Sequence, residues 1–204
     1  KKGNKMSPSS PFNNKIGDKI KIYSDGADKA SMLEMAKNPI IQGLTTNPSL
    51  MKKAGVTDYK SFCLEILTHI KSKPLSFEVF TDDIKDMKRQ ALEINTWGPN
   101  IYVKIPISNS EGHSTINLVK ELTHQGVKLN VTAILTMEQI IDTVLALKGG
   151  APSIVSVFAG RIADTGRDPI PMMQAAAALC RMTDPNIELL WASSREALNI
   201  VQAE

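Results

Sequence analysis

One lysine lies inside a run of residues that is otherwise largely apolar. Lys104 is the fourth residue of IYVKIPI (101–107). An ammonium group is costly to bury without a partner, and a desolvated lysine loses its proton more readily and can attack a ketone to form a Schiff base. The position therefore suggests an amine nucleophile. The alternative is a strand-end lysine whose stem is covered while its ammonium reaches water.

Two carboxylates belong to the same hypothesis, because Schiff-base formation needs a proton donor and acceptor near the amine. Asp25 ends one β-rich run and Glu78 ends another, so both are predicted to lie at the same edge of a parallel sheet. The alternatives are a helix cap for Asp25 and a structural ion pair for Glu78.

Hydroxyl and amide groups follow the second run, in LTTNPS (44–49). Thr45, Thr46 and Asn47 could bond to the oxygens of a polar substrate. The simpler interpretation is a helix start, since Asn and Ser cap helices and Pro suits the first turn.

Two arginines come after the last two β-rich runs. Arg161 follows SVFAG and Arg195 follows Ser193. Guanidinium groups bind phosphate in a forked geometry, so the pair is a candidate phosphate clamp, with Ser193 and backbone N–H groups completing it. Surface ion pairing is the alternative.

The histidines and cysteines do not suggest a metal centre. They are isolated residues in or beside segments with helical spacing, without the spacing of a zinc site. The residues concerned are His69, His113, His124, Cys63 and Cys180.

Composition narrows the class of protein. The 204 residues are 42% hydrophobic and 22% charged, with a formal net charge of +3. Several excess lysines fall in residues 1–18, which are polar and predicted to be a disordered tail. Beyond them the charges are mixed in sign, which argues against a nucleic-acid or membrane surface. We expect a cytoplasmic protein with one domain over residues 19–204.

Seven β-rich runs alternate with segments of helical periodicity, which is typical of parallel βαβ units. The helical stripes include Ile84, Met87, Ala91 and Ile94. The predicted strands cover residues 19–24, 40–46, 74–80, 100–107, 127–134, 153–159 and 187–193.

This pattern leaves a doubly wound sheet or a (β/α)₈ TIM barrel. YSDGAD follows the first run in place of a glycine-rich dinucleotide fingerprint, and polar residues, among them Asn130, Thr132 and Ser156, end most strands, where barrel enzymes place their chemistry. We therefore predict the barrel. A complete barrel is expected to have an eighth strand and helix, so we expect the barrel over residues 19–204 to be incomplete at its C-terminus.

Seven motifs together resemble, in order and spacing, those of transaldolases, in particular the short subfamily that also contains fructose 6-phosphate aldolase. The resemblance runs from about Lys19 to Glu204. The motifs are SDGAD, GLTTNPSL, FEVF, YVKIPIS, LNVTAI, SVFAGRI and WASSRE.

The resemblance implies a class I aldolase-type barrel of the pentose phosphate pathway that needs no metal or organic cofactor. It makes Lys104 the Schiff-base lysine, Asp25 the acid–base for the sugar hydroxyl, and Glu78 with Thr132 the holders of a catalytic water. The implied binding residues are Asn47, Asn130 and Ser156 for the dihydroxyacetone unit, and Arg161, Ser193 and Arg195 for the phosphate.

Two positions separate the branches of the family. Glu78 and Phe158 match transaldolases, where the aldolase branch has Gln and Tyr. The resemblance therefore favours transfer between sugar phosphates, with fructose 6-phosphate as donor and erythrose 4-phosphate as acceptor. Aldol cleavage releasing free dihydroxyacetone is one alternative, and a non-catalytic sugar-phosphate-binding barrel is another. A homo-oligomer is expected if the C-terminal unit is present.

Overall fold

The computed structural model describes residues 20–204, so the predicted tail over residues 1–18 lies outside the described part. The strands are β1 (Ile22–Asp25), β2 (Ile41–Thr45), β3 (Leu75–Glu78), β4 (Ile101–Pro106), β5 (Leu129–Ile134), β6 (Ser153–Val157) and β7 (Ile187–Trp191). The helices are α1 (Lys29–Lys37), α2 (Pro48–Lys53), α3 (Tyr59–His69), α4 (Ile84–Asn95), α5 (Ile116–His124), α6 (Met137–Leu147), α7 (Ala159–Asp164), α8 (Ile170–Thr183) and α9 (Leu198–Ala203).

The strands form one parallel sheet in the order of the chain, β1 to β7. A doubly wound sheet reverses direction at a switch point, and the described sheet contains no reversal. The observed order is that of a barrel wall, as predicted.

The sheet curls back on itself. In a flat sheet, six steps of about 4.8 Å would hold the outer strands about 29 Å apart. Lys21, which precedes β1, instead forms an ion pair with Glu188 of β7. Backbone pairing between β1 and β7 is nevertheless absent, so the described strands form an open, curled sheet and not a closed barrel.

Helices cover the convex side of the sheet, and their apolar stripes are buried as predicted. Met87, Ala91 and Ile94 of α4 are at most 2% exposed. The stripes of α5 and α6 join the same hydrophobic core. Among the described helices, none is long and apolar enough to cross a membrane.

Helix starts follow the cap chemistry of the sequence. The Asp83 carboxylate accepts a hydrogen bond from the Asp86 N–H and so caps the start of α4. Thr136 and Gln139 form a reciprocal capping box on α6. Asp168 and Pro169 come directly before α8, and Pro169 is its N-cap.

Strand ends lie within three residues of the predicted ones, and the end of β5 and the starts of β6 and β7 match the predictions. β1 extends one residue beyond the predicted range to include Asp25 at its tip, and β6 stops at Val157, two residues before the predicted end. The second difference arises because Ala159, although apolar, begins α7.

One close contact packs the concave side between β1 and β2. Tyr23 pairs in register with Gly43, and its ring lies over that glycine, so that a β-carbon at Gly43 would be 2.2 Å from Tyr23 Cε1. Burial also raises the pKa of the Tyr23 phenol. The absence of a side chain at residue 43 is therefore a packing requirement.

We expect Gly43→Ala to lower the free energy of unfolding by about 1–3 kcal/mol, because the new methyl group overlaps the Tyr23 ring. Urea denaturation measures this change. In a Tyr23→Ala background the same substitution should cost much less. An equal cost in both backgrounds would show that the clash is elsewhere.

Candidate active site

Strand register brings three predicted residues into one row. Glu78 of β3 pairs with Lys104 of β4, and Lys104 pairs with Asn130 of β5. Side chains that pair in register on neighbouring strands project to the same face. The concave face of the sheet therefore holds a carboxylate, an amine and an amide side by side.

Lys104 is almost enclosed, with a side chain that is 11% exposed. Its Nζ lies 3.5 Å from Glu78 Oε2 and 3.4 Å from Thr45 Oγ1. It also donates a hydrogen bond of 3.3 Å to the carbonyl oxygen of Thr46. The alternative of a solvent-reaching lysine is wrong, because the amine is directed into a polar pocket formed by β2 and β3.

Glu78 is the acid nearest to that amine. Burial raises the pKa of its carboxyl group above 4.5, whereas the positive charge and hydrogen bonding of Lys104 act in the opposite direction. Its main-chain carbonyl accepts a 2.8 Å hydrogen bond from the Tyr59 hydroxyl, which anchors the end of β3. Glu78 is thus an ion-pair partner, as the simpler interpretation proposed, but the pair involves the candidate nucleophile.

Asp25 lies on the neighbouring strand, paired in register with Thr45. Its side chain keeps contact with solvent, yet desolvation by the surrounding protein raises its pKa, with Lys104 acting in the opposite direction. Solvent therefore partly screens the Asp25 charge. The alternative that Asp25 caps a helix is wrong, since Asp28 caps α1.

A buried hydrogen-bond chain crosses the same face from β6 to β3. Ser156 Oγ donates to Asn130 Oδ1 at 2.6 Å, and Asn130 Nδ2 donates to Ser76 Oγ at 3.0 Å. All three residues are at most 2% exposed. The chain fixes the Asn130 amide beside Lys104, where it could contact the oxygens of a bound substrate.

Thr132 follows Asn130 by two residues on β5. Its hydroxyl is buried and forms no hydrogen bond with the described residues. Next to it, Ala133 has a φ of 61°, and the β5–β6 register shifts between Val131 and Ile134. Such irregularities are frequent beside active sites, because they redirect a side chain. A buried hydroxyl without a partner is available to a substrate or water.

Asn47 caps α2, and its Oδ1 accepts a 3.0 Å hydrogen bond from the Leu50 N–H. The simpler interpretation of the TTNPS segment is therefore observed. The cap uses only the amide oxygen, and the Asn47 Nδ2 takes part in no hydrogen bond within residues 20–204. A substrate contact through this nitrogen remains compatible with the cap.

The two arginines form a second cluster, around the short helix α7. The Arg161 guanidinium lies over the Phe158 ring, 5.6 Å from its centroid. Arg195 pairs with Asp164, the last residue of α7, with Nη2 at 2.6 Å from Oδ2. Surface ion pairing is thus observed for Arg195, whereas Arg161 stacks on an aromatic ring.

Backbone packing joins this cluster to the end of β7. A β-carbon at Gly160 would lie 1.7 Å from the Ser193 carbonyl oxygen. Ser193 itself has a φ of 56°, an uncommon conformation for a residue with a side chain. The loop that carries Ser193 and Arg195 is therefore pressed against α7.

Three residues of these clusters escaped the sequence analysis. Ser76 could have been predicted, because it lies two residues before Glu78 and therefore on the same face of β3. Asp164 and Gly160 flank Arg161 on α7, but only the contact with the β7 loop shows what they do.

The histidines stay apart from both clusters in the described part of the chain. His113 lies 3.3 Å from Glu111, and His124 Nδ1 is 2.8 Å from the Lys120 carbonyl oxygen. Among residues 20–204, there is no group of three or more histidine, cysteine or acidic residues that could hold a metal ion. Both cysteines are buried, in α3 and α8, as expected.

Comparison with known proteins gives one family. A family model described as transaldolase/fructose-6-phosphate aldolase matches residues 22–204. A probable transaldolase of Dehalococcoides mccartyi is 32% identical over 184 residues, covering 90% of this chain and 82% of that protein. A probable transaldolase of a Thermoanaerobacter species is 35% identical, covering 90% and 81%.

A solved structure described as "QR15, an Aldolase" is 13% identical to this chain. The superposition covers 86% of this chain and 91% of the solved one. The TM-score between the two is 0.48.

We expect Gly160→Ala to lower the free energy of unfolding by about 1–3 kcal/mol, because the methyl group would overlap the Ser193 carbonyl and displace the β7 loop. Gly98→Ala is the matched control, since its β-carbon would meet no atom closer than 3.4 Å. Urea denaturation compares the two. Equal costs would show that the α7–β7 contact yields without strain.

Proposed function

We propose that this chain is a transaldolase acting through a Schiff base on Lys104. The chain belongs to the transaldolase/fructose-6-phosphate aldolase family. The donor is a ketose phosphate such as fructose 6-phosphate, and the acceptor an aldose phosphate such as erythrose 4-phosphate. The observation that carries the proposal is the enclosed Lys104 amine, 3.5 Å from the Glu78 carboxylate.

Schiff-base formation begins with loss of a proton from Lys104, since the neutral amine is the nucleophile. Glu78 is the carboxylate within reach of that proton. The amine adds to the ketone carbon, and the resulting hydroxyl leaves as water once it is protonated. The unpartnered Thr132 hydroxyl supports a role for Thr132 in holding this water.

Carbon–carbon cleavage follows on the iminium ion. Asp25 takes the proton of the substrate hydroxyl as the bond breaks, and the electron pair of that bond moves into the iminium group to give an enamine. The raised pKa of Asp25 suits a group that accepts and later returns a proton. The aldose phosphate then leaves, and the acceptor aldehyde reacts with the held enamine.

Substrate contacts divide between the two clusters. The buried Ser156–Asn130–Ser76 chain supports a role for Asn130 and Ser156 in binding the dihydroxyacetone unit, together with Thr45 and Asn47. Arg161, Ser193 and Arg195 form the proposed phosphate site. Guanidinium groups are well suited to a phosphate dianion because of their forked N–H geometry.

Borohydride trapping tests the nucleophile. With fructose 6-phosphate present, reduction should leave a stable adduct on Lys104, located by peptide mass spectrometry. Lys104→Met should fold normally, form no adduct and lose at least about a thousandfold in activity, because the covalent route is closed. Lys128→Met is the control, because Lys128 donates a hydrogen bond to the Pro99 carbonyl; this variant should still form the adduct on Lys104. A non-catalytic binding protein would give no adduct.

The acid limb of the pH profile tests Glu78. Below its raised pKa the carboxyl group is protonated and cannot accept the Lys104 proton. The rate of adduct formation with dihydroxyacetone should therefore fall on the acid side, at a higher pH than an unperturbed glutamate would give, because burial raises the pKa of Glu78. Glu78→Gln should remove this limb, whereas the exposed Glu93→Gln should keep it. An unchanged limb in Glu78→Gln would assign the titration to another group.

Product analysis separates the proposed activity from its nearest rival. With fructose 6-phosphate and no acceptor, an aldolase releases free dihydroxyacetone, whereas a transaldolase holds it until an acceptor aldehyde arrives. Glu78→Gln should shift the products toward free dihydroxyacetone, because an amide orients water but cannot cycle a proton.

A further inference from the structure

Asp164 ends the helix that carries Arg161 and contacts the arginine of the next loop. Its Oδ2 lies 2.6 Å from Arg195 Nη2, and its Oδ1 accepts from Arg195 Nε at 3.3 Å. Resting on the proposed function, we propose that Asp164 is a positioning residue that holds Arg195 for phosphate binding and so favours phosphorylated over unphosphorylated substrates.

The geometry of the guanidinium group supports this role. Its five N–H groups form a planar fork with two usable edges. Asp164 takes the edge formed by Nε and Nη2, and within the described residues Arg195 Nη1 forms no hydrogen bond. The edge that remains is free for two oxygens of an anion. A carboxylate on one edge fixes the plane in which the other edge lies.

Asp164 is also close in the structure to the other arginine of the cluster, Arg161. Arg161 precedes it by three residues, which places both on one side of α7. Hydrogen bonding to Arg195 holds the pKa of the Asp164 carboxyl group below its ordinary value, and the charge of Arg161 adds to this effect. The carboxylate therefore stays ionised at neutral pH, in contact with Arg195 and close enough to Arg161 to feel its charge.

The value of this ion pair lies in orientation rather than in stability. Both side chains are about half exposed, and exposed ion pairs contribute little to folding. A free arginine loses considerable rotamer freedom when it binds a ligand. Asp164 restricts that freedom in advance. Its repulsion of a phosphate is weakened by water and salt, so we expect the orientation effect to dominate.

Steady-state kinetics test the proposal. Asp164→Ala should raise the KM for fructose 6-phosphate about three- to tenfold and change kcat less than about twofold, because the reacting atoms lie in the other cluster. The KM for an unphosphorylated ketose should not change. Asp164→Asn, which retains an acceptor, should restore part of the affinity. A lower or unchanged KM for fructose 6-phosphate would overturn the proposal.

Glu196→Ala is the matched control. Glu196 is an exposed carboxylate adjacent to Arg195 in sequence, and in the described structure its side chain forms no hydrogen bond or ion pair. Its removal changes the local charge equally without releasing Arg195. The KM should stay within about twofold of the parent. A rise equal to that of Asp164→Ala would show a general charge effect and contradict a positioning role.

A double-mutant cycle identifies the residue through which Asp164 acts. In an Arg195→Ala background, Asp164→Ala should cause no further rise in KM, because its partner is already absent. Fully additive effects would instead indicate that Asp164 supports the fold of α7, and would overturn the proposal. Circular dichroism of each variant establishes that it is folded.

Direct titration with inorganic phosphate keeps this inference separate from the proposed reaction. Nuclear magnetic resonance should show weaker phosphate binding to Asp164→Ala than to the parent, whether or not Lys104 forms an adduct. If the parent forms no adduct on Lys104 while Asp164→Ala binds phosphate more weakly than the parent, the transaldolase proposal is wrong and the positioning role stands. Adduct formation with equal phosphate affinity in both proteins would refute the positioning role alone.

Discussion

The in-register pairing of parallel strands is the constraint on which the rest of the site depends. Glu78, Lys104 and Asn130 lie on three strands, yet the register places them side by side. Curling of the sheet then turns this row inward, so that Lys104 reaches Thr45 on a strand two places away. A slip of one residue would direct the amine into the apolar layer between sheet and helices, where no described carboxylate would accompany it.

In the Lys104 cluster, burial and ion pairing shift the pKa of the carboxyl groups in opposite directions. Desolvation raises the pKa of Glu78 and of Asp25, while the positive charge of Lys104 opposes the rise at both. Neither carboxyl group is at the ionisation equilibrium it would have in water. Groups whose protonation is so balanced are suited to taking up and returning protons during a reaction. The arginine cluster differs, because its ion pair lies at the exposed surface.

The two clusters are built from different kinds of structure. The Lys104 cluster projects from strands, and its members are fixed by the sheet and by a buried hydrogen-bond chain. The arginine cluster lies on a short helix and a loop, and is held by an ion pair, an aromatic ring and a close backbone approach at Gly160. In the proposed reaction, a buried group on strands and an exposed anion site on a helix and loop would suit substrates that share a phosphate and differ in length.

The sequence determined by itself the parallel α/β architecture, the seven strands and the candidate residues at their ends, because strand periodicity and cap chemistry are local properties. It also indicated the family, through the order of seven motifs. It did not determine which candidates touch. Register, curvature and loop packing decide three contacts: the Glu78–Lys104 ion pair, the hydrogen bond from Asn130 to Ser76 and the ion pair between Asp164 and Arg195. These join residues between 26 and 54 positions apart, so only the tertiary structure could decide them.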